Sequence, residues 1–297
     1  QSVANRNKTL QMIDNLDFIL TVDIAMSDTA WMSDLVLPAP SYLERQDPAS
    51  GLQGSSACAC VVTRDPVVPA LFESKPVFWI FKELAKRLDL AEYFDFTIDE
   101  YRKQQFKNLP DGERALREDG VYYNPSKLYG VYEGRVYKTL SKKIELYNKR
   151  YADMGVDPMP VYRAPRRKPS GKFRMVVGRN AYFTHCTSQN NALLNQFMPE
   201  NTLWINPKAA KRLGIRDGYR VEISSKAGKG ILKANLKEGI REDTVYMLSG
   251  FGVLSQGLTN IYGKGACMAE ILEDYADEIS GNMAMHETFV KVIRKGA

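Results

Sequence analysis

Histidine and cysteine are scarce in this chain, at 2 and 4 of its 297 residues. The cysteines are Cys58, Cys60, Cys186 and Cys267. Cys58-Ala-Cys60 is tighter than the usual zinc or iron–sulfur spacings. A Cys-x-Cys pair also rarely closes a disulfide with good geometry. On a strand both thiols point to one face, so two small core residues are expected there. Tryptophan occurs only three times, as Trp31, Trp79 and Trp204. Each sits in an apolar pattern and is expected in a core. No apolar run approaches the roughly 18 residues of a membrane-spanning helix. Patches such as Phe18–Val22 and Leu35–Pro40 are strand-sized. Long-period repeats and low-complexity tracts are absent, which excludes a solenoid. The first residues carry no signal-peptide pattern. The chain opens on Gln1, as expected of a processed protein or a piece of a longer one.

What is present is ordinary globular composition, 44% hydrophobic and 26% charged. At about 100–200 residues per domain the length predicts two domains. Net charge is +6, from 41 basic and 35 acidic residues. That excess suits an anionic ligand or partner. It is too dispersed for a nucleic-acid surface. The densest basic run, Arg163 to Lys168, is interrupted by Pro165 and followed by Pro169, and reads as a solvated linker.

The first part reads as α/β. Lys8–Asn15 is a short helical pattern. Phe18–Asp23 is a continuous apolar run ending in a carboxylate, the pattern of a buried parallel strand. Ser27 and Asp28 are candidate caps for a helical turn at Thr29–Ser33. A second strand, Asp34–Leu37, stops at Pro38-Ala-Pro40. Strand, helix and strand in quick succession predict a βαβ unit. Pro76 opens a helix to Leu88, with Val77, Ile80, Phe81, Leu84 and Leu88 at helical spacing. From Asp111 to Tyr162 the chain is rich in tyrosine, glycine and charge, and reads as an elaborated connector. Val131–Tyr137 predicts a hairpin turning near Gly134. The Pro-rich basic segment Pro160–Gly171 marks the domain boundary.

From Lys172 the pattern is mainly β. Phe173–Val177 is a strand. Asn206 caps a short helix with Pro207 at its first position, and Gly214 ends it. Asp217-Gly218 is a turn, and Tyr219–Ser224 alternates as a half-buried strand. Gly228-Lys-Gly230 turns into Ile231–Leu236, and Thr244–Leu248 adds a strand. Many short strands with an inserted helix predict a small closed barrel, which leaves no open sheet edge.

The run from Asn206 through Asp217-Gly218 to Ser225 resembles the C-terminal domain of the DMSO-reductase superfamily of molybdopterin enzymes. Val177-Gly-Arg179, His185-Cys-Thr-Ser188 and Asn190-Asn191 resemble that domain's cofactor-facing loop. Val22-Asp-Ile through Thr29-Ala30 to Ser33-Asp-Leu-Val-Leu-Pro38 is similar to a strand-loop-strand of the preceding α/β domain. There Ser33 stands where the family usually has alanine. The tail Gly281-Asn-Met-Ala-Met-His-Glu287 fits the same order. Tyr182–Asn191 and Gly250-Phe-Gly252 look most like thiosulfate or polysulfide reductase catalytic subunits. Arsenate and tetrathionate reductases share much of this pattern.

The resemblance implies an α/β segment, part of a Rossmann-like domain, over 1–110. It implies a connector over 111–170 and a double-psi β-barrel binding a molybdopterin dinucleotide over 171–297. The implied cofactor is molybdenum bis(molybdopterin guanine dinucleotide). A [4Fe-4S] cluster and a cysteine ligand to the metal are expected upstream of this segment. So is a twin-arginine signal, with a periplasmic location. Implied partners are a small inorganic sulfur substrate, an iron–sulfur electron-transfer subunit and a membrane-anchor subunit. Nucleic acid is not an expected partner. The alternatives are an arsenate or tetrathionate reductase relative, and a stand-alone double-psi barrel binding module without catalysis, against which the α/β segment argues.

The candidate cofactor-binding residues are Asp23, Thr29, Gly178, Arg179, His185, Thr187, Ser188, Asn190, Lys264 and Asn282. Asp23 ends a strand, where α/β sheets place their ligand crevice, and a carboxylate accepts from the N–H donors of guanine. Gly178 lets the backbone approach a ligand, and Arg179 forks two oxygens. His185 is read as a donor to a pterin heteroatom that tunes the cofactor. Thr187, Ser188 and Asn190 supply short polar groups in the same loop. Lys264 lies between glycines that present backbone N–H groups to a phosphate, or form a plain turn. Asn282 offers its amide, and His286 reads as a surface or packing residue. No residue is a candidate general acid, and none is assigned to catalysis or to a metal.

Overall fold

A computed structural model describes residues 3–53, 59–123, 134–159 and 161–296. Cys58 and residues 131–133 of the hairpin expected at 131–137 lie outside these residues. The chain divides into two compact units. One comprises Leu20–Ala25 and Asp34–Asn148, the other Gln1–Ile19, Met26–Ser33 and Lys149–Ala297.

The first unit contains two sheets. In one, β1 (Leu20–Asp23) pairs in parallel with β2 (Leu35–Pro38), Asp23 lying opposite Pro38. Proline ends the ladder because it has no N–H to donate. In the other, β3 (Asp47–Gln53), β4 (Ala59–Arg64) and β5 (Val121–Tyr123) run antiparallel. Two helices, Ile98–Phe106 and Gly112–Glu118, belong with this sheet through a core of Phe106, Ala115 and Tyr122. Residues 112–123, inside the stretch expected to connect domains, are thus built into this sheet's layer. A Thr97–Glu100 capping box starts the first of these helices. Its buried Arg102 donates to the Asp47 carbonyl at 2.9 Å and to Asp65 Oδ1 at 2.7 Å. The helix Val77–Arg87 forms where its spacing predicts, but Phe81 and Leu88 are exposed and only Ile80 and Ala85 are buried.

The second unit is a closed six-stranded barrel. Its strands are β6 (Phe173–Gly178), β7 (Thr202–Ile205), β8 (Arg220–Ser224), β9 (Lys229–Leu236), β10 (Thr244–Leu248) and β11 (Phe289–Gly296). Around the barrel the order is β10-β6-β11-β8-β9-β7. The pairs β6–β10 and β7–β9 are parallel and the other four antiparallel. Alternate residues point inward, as strand geometry requires. Met175, Leu203, Ile205, Val221, Ile223, Val245, Met247 and Val290 fill the interior and are inaccessible to solvent. Asn206 caps the helix Pro207–Arg212 by accepting from the Lys208 N–H at 2.9 Å. Gly214 follows with a positive φ of 64°, as a helix C-terminus favours.

The N-terminal segment is stapled to this barrel unit by polar contacts of long sequence range. Arg6 donates to the Gly252 carbonyl at 2.8 Å and pairs with Glu270 at 2.7 Å. Asn5 and Lys8 both donate to the Asp274 carboxylate, at 3.1 and 2.8 Å. Asp28, expected as a helix cap, instead accepts from the Leu254 and Ser255 N–H groups at 2.8 and 2.9 Å. Ser27 alone caps the turn Asp28–Trp31.

The core expectation for tryptophan needs correction. Trp31, Trp79 and Trp204 are 44%, 48% and 37% exposed. Lys75 stands over the Trp79 ring, and Trp204 packs on Tyr246 under Lys237. The Trp79 and Trp204 rings are thus met by lysine ammonium groups and, for Trp204, a ring neighbour, and not by core. Cys60 is half-buried. No helix among the described residues is long and apolar enough to cross a membrane.

Two predictions test this architecture. Ile223→Ala should lower unfolding free energy by about 2–5 kcal/mol, the range for emptying a core site. Ile231→Ala, on an outward position 41% exposed, should change it far less. Denaturant midpoints decide between inward and outward assignment. Separately, the Lys8 ammonium, helped by Asn5, holds the Asp274 carboxyl down from 3.8 to about 2. A carboxylate whose folded pKa is depressed stabilises above its unfolded value and loses that contribution as pH falls through the folded one. Acid titration of the wild type should therefore show stability lost between about pH 4 and 2 that Asp274→Asn lacks.

Candidate cofactor-binding site

The parallel pair β6–β10 decides where the site forms. Gly178 lies opposite Leu248, so both strands leave the barrel at the same end. The Ser249 N–H and Oγ both donate to the Gly178 carbonyl at 3.2 Å and extend the contact beyond the strands. A side chain at Gly178 would meet the Tyr246 ring at 2.9 Å, so the close approach needs glycine. The Tyr246 hydroxyl donates to the Arg179 carbonyl at 3.0 Å. Burial pushes that phenol above its ordinary pKa, so it stays a donor.

At this end opens a cavity of about 260 Å³. Val177, Met268 and Met285 give it apolar lining. Gly178, Arg179, His185, Cys186, Ser249 and His286 complete it. Arg179 and both histidines are exposed to solvent.

The loop after β6 lies on a buried polar bed. Gln189 is 1% exposed and donates through Nε2 to the His185 carbonyl. Asn195 Nδ2 donates to the Gln189 carbonyl. Among the described residues, Gln189 Oε1 and Asn195 Oδ1 are buried without a hydrogen-bond partner. His185 itself has φ 51°, a left-handed conformation that non-glycine residues rarely adopt. Opposite it, Gly250 has φ 94°, and a side chain there would collide with the Gln189 amide. Asn201 locks the neighbouring turn. Its Nδ2 donates to the Leu248 and Ala266 carbonyls at 2.7 and 2.9 Å, and its Oδ1 accepts from Ala266 N–H at 2.9 Å.

The candidate residues separate on this geometry. Gly178, Arg179 and His185 come together on the cavity. Thr187, Ser188 and Asn190 share the loop, but their side chains brace it. Thr187 Oγ1 donates to the Thr184 carbonyl, Ser188 Oγ accepts from Thr184 N–H, and Asn190 Oδ1 accepts from Asn260 N–H. Lys264 and Asn282 are exposed and do not line this cavity. The exposed Thr29 accepts from Ser33 Oγ through its carbonyl, at 2.8 Å. In the other unit, Asp23 closes a tight turn at the end of β1, where its Oδ1 accepts from Ile24 N–H at 2.7 Å. Cys186 and Ser249 are absent from the sequence-based candidates, and His286, expected as a surface or packing residue, lines the cavity. Cys186 adjoins His185 in the quoted motif and was there to be found. Residues 249 and 286 reach the cavity only through the barrel's closure.

Profile comparison matches residues 173–289 to the molydopterin dinucleotide binding domain and residues 1–87 to molybdopterin oxidoreductase. The chain thus carries a molydopterin dinucleotide binding domain, preceded by a stretch that matches molybdopterin oxidoreductase. It is 26% identical over 316 residues to the thiosulfate reductase molybdopterin-containing subunit PhsA of Salmonella typhimurium, covering 95% of this chain and 40% of that protein. It is 27% identical over 262 residues to the assimilatory nitrate reductase catalytic subunit of Bacillus subtilis, covering 83% and 35%. The fold is similar to that of acetylene hydratase from Pelobacter acetylenicus, with a TM-score of 0.78 at 22% identity over 98% of this chain and 42% of that one. The chain therefore spans about two fifths of these relatives. The two matched domains indicate a molybdenum bis(molybdopterin guanine dinucleotide) cofactor. The cavity's chemistry fits such a group: an apolar lining for a flat ring, N–H and O–H donors at the rim, and the Arg179 cation for an anionic tail.

The packing of this end generates a test. Gly250→Ala should destabilise the protein by more than Gly171→Ala. Both glycines have positive φ, but Gly171 has open space around it. Thermal midpoints measured side by side check this, and equal shifts would contradict the close approach of Gly250 to the loop.

Proposed function

We propose that this chain is the cofactor-gripping C-terminal portion of a molybdopterin-dependent oxidoreductase that reduces thiosulfate or polysulfide. The observation that carries the reading is the convergence of Gly178, Arg179 and His185 on one cavity with Ser249 and His286. The similarity to a thiosulfate reductase subunit supports the substrate class. When bound, the cofactor supplies two-electron redox chemistry at molybdenum.

The chain's own residues bind and orient. Arg179 presents its guanidinium to phosphate or ring-carbonyl oxygens. His185 and His286 offer imidazole nitrogens to ring heteroatoms from two sides of the cavity. Ser249 contributes a hydroxyl. Thr187, Ser188 and Asn190 hold the loop in shape. Asp23, Thr29, Lys264 and Asn282 remain proposed contacts to the dinucleotide, Asp23 to a guanine or its ribose. In this reading 1–110 is part of a Rossmann-like domain, 111–170 connects while lending 112–123 to the antiparallel sheet, and 171–297 is a barrel of the double-psi kind. Iron–sulfur and membrane-anchor subunits, a [4Fe-4S] cluster upstream and a periplasmic location belong to the same reading.

The test is to produce the chain together with the remainder of its polypeptide, denature it, and assay released molybdenum and guanine nucleotide. Both are expected in the wild type. Arg179→Ala should lower nucleotide content several-fold, and Lys226→Ala should leave it unchanged. Equal content in the two variants would refute the role of Arg179, and absence of both metal and nucleotide from the wild type would refute the cofactor reading.

A further inference from the structure

We propose that Arg174 and Glu287 are positioning residues that hold the cavity wall carrying Met285 and His286. The inference rests on the reading of that cavity as the cofactor site. Arg174 stands on β6, opposite Phe289 of β11 and Thr244 of β10. Its guanidinium makes three contacts at once. Nη1 donates to Glu287 Oε1 and to the His286 carbonyl, both at 2.7 Å, and Nη2 donates to the Arg166 carbonyl at 2.5 Å. Its Cζ lies over the Phe289 ring, 4.7 Å from the ring centre. The Arg174 and Glu287 side chains are only 22% and 18% exposed, so this pair is better shielded than a surface bridge.

The Glu287 carboxylate in turn takes a second contact, from the Arg166 backbone. Its Oε2 accepts from Arg166 N–H at 3.2 Å. The Arg166 guanidinium lies over the Tyr275 and Phe289 rings at 5.2 and 5.5 Å. The basic segment expected to be a solvated linker is therefore pinned to the barrel at Arg166. The wall itself is a tight turn, with the Glu287 N–H donating to Ala284 O at 3.0 Å. Among the described residues no hydrogen bond reaches the His286 imidazole. Its place at the cavity follows from its backbone, and Arg174 holds that backbone by its carbonyl. The guanidinium reaches these three acceptors from two separate nitrogens, a spread that the single nitrogen of an ammonium does not reproduce even with its three donors. Arg174→Lys should therefore not rescue.

The experiment uses the enzyme produced with the remainder of its polypeptide. Arg174→Lys and Glu287→Gln are compared with wild type and with Arg212→Ala, which removes an exposed bridge to Glu242. Two readouts are taken: the rate at which guanine nucleotide is lost, and hydrogen exchange of the amides at 284–287 and in β10. The proposal predicts nucleotide loss about tenfold faster in both clamp variants, the scale on which outer-shell partners act. It also predicts faster exchange at 284–287, unchanged exchange at Val245 and Met247, and wild-type behaviour in Arg212→Ala. Faster exchange with unchanged nucleotide loss would reduce the clamp to a fold contact and overturn the proposal. Unchanged exchange would overturn it too. A wild type without guanine nucleotide would instead bring down the cofactor reading itself, and this inference with it.

Discussion

The parallel register of β6 with β10 is the constraint on which the site depends. Parallel neighbours leave a sheet at the same end, whereas antiparallel neighbours leave at opposite ends. Because Gly178 faces Leu248, the segments that follow both strands open over one cavity. Tyr246 seals the contact, with its ring against the bare Cα of Gly178 and its hydroxyl on the next carbonyl. Residue 178 thus serves packing and not ligand approach alone. The antiparallel pairing of β6 with β11 brings the third wall, residues 285 and 286, to the same place.

Beneath the rim the protein is polar and buried. Gln189, Asn195, Asn201 and Ser255 are all buried. Asn201 makes three hydrogen bonds that tie the end of β10 to Ala266. Polar groups satisfied in this way rigidify a structure, and the same groups are costly when left unpaired. Under His185 the Gln189 Nε2 and Asn195 Nδ2 donors tie the loop to its own backbone carbonyls and hold its shape, which is what orientation of a cofactor requires.

Much of the local structure was legible in the sequence because its signals are local. Asn206-Pro207 wrote a helix start, Asp217-Gly218 a turn, and the alternation at Thr244–Leu248 a strand. The barrel's last strand, Phe289–Gly296, was not read, since its register is set by partners at 173–174 and 220–224. The attachment of the N-terminal segment to the barrel unit was equally hidden, because Arg6, Asn5 and Lys8 find partners more than 240 residues away. In the site, the Gly178-Arg179 and His185 pieces were legible because they lie close together in one loop. His286 was not, because nothing in its neighbours announces a cavity that only the closed barrel makes. The tryptophans failed for the opposite reason: an apolar neighbourhood in sequence says little about which side of a strand or helix is covered.

A structure of the enzyme isolated with its cofactor tests the central claim most directly. The account predicts a pterin dinucleotide seated at the end of the β6–β10 pair, within hydrogen-bond reach of Arg179 and at least one of His185 and His286. Density for the cofactor elsewhere, with this cavity holding only solvent, would contradict it.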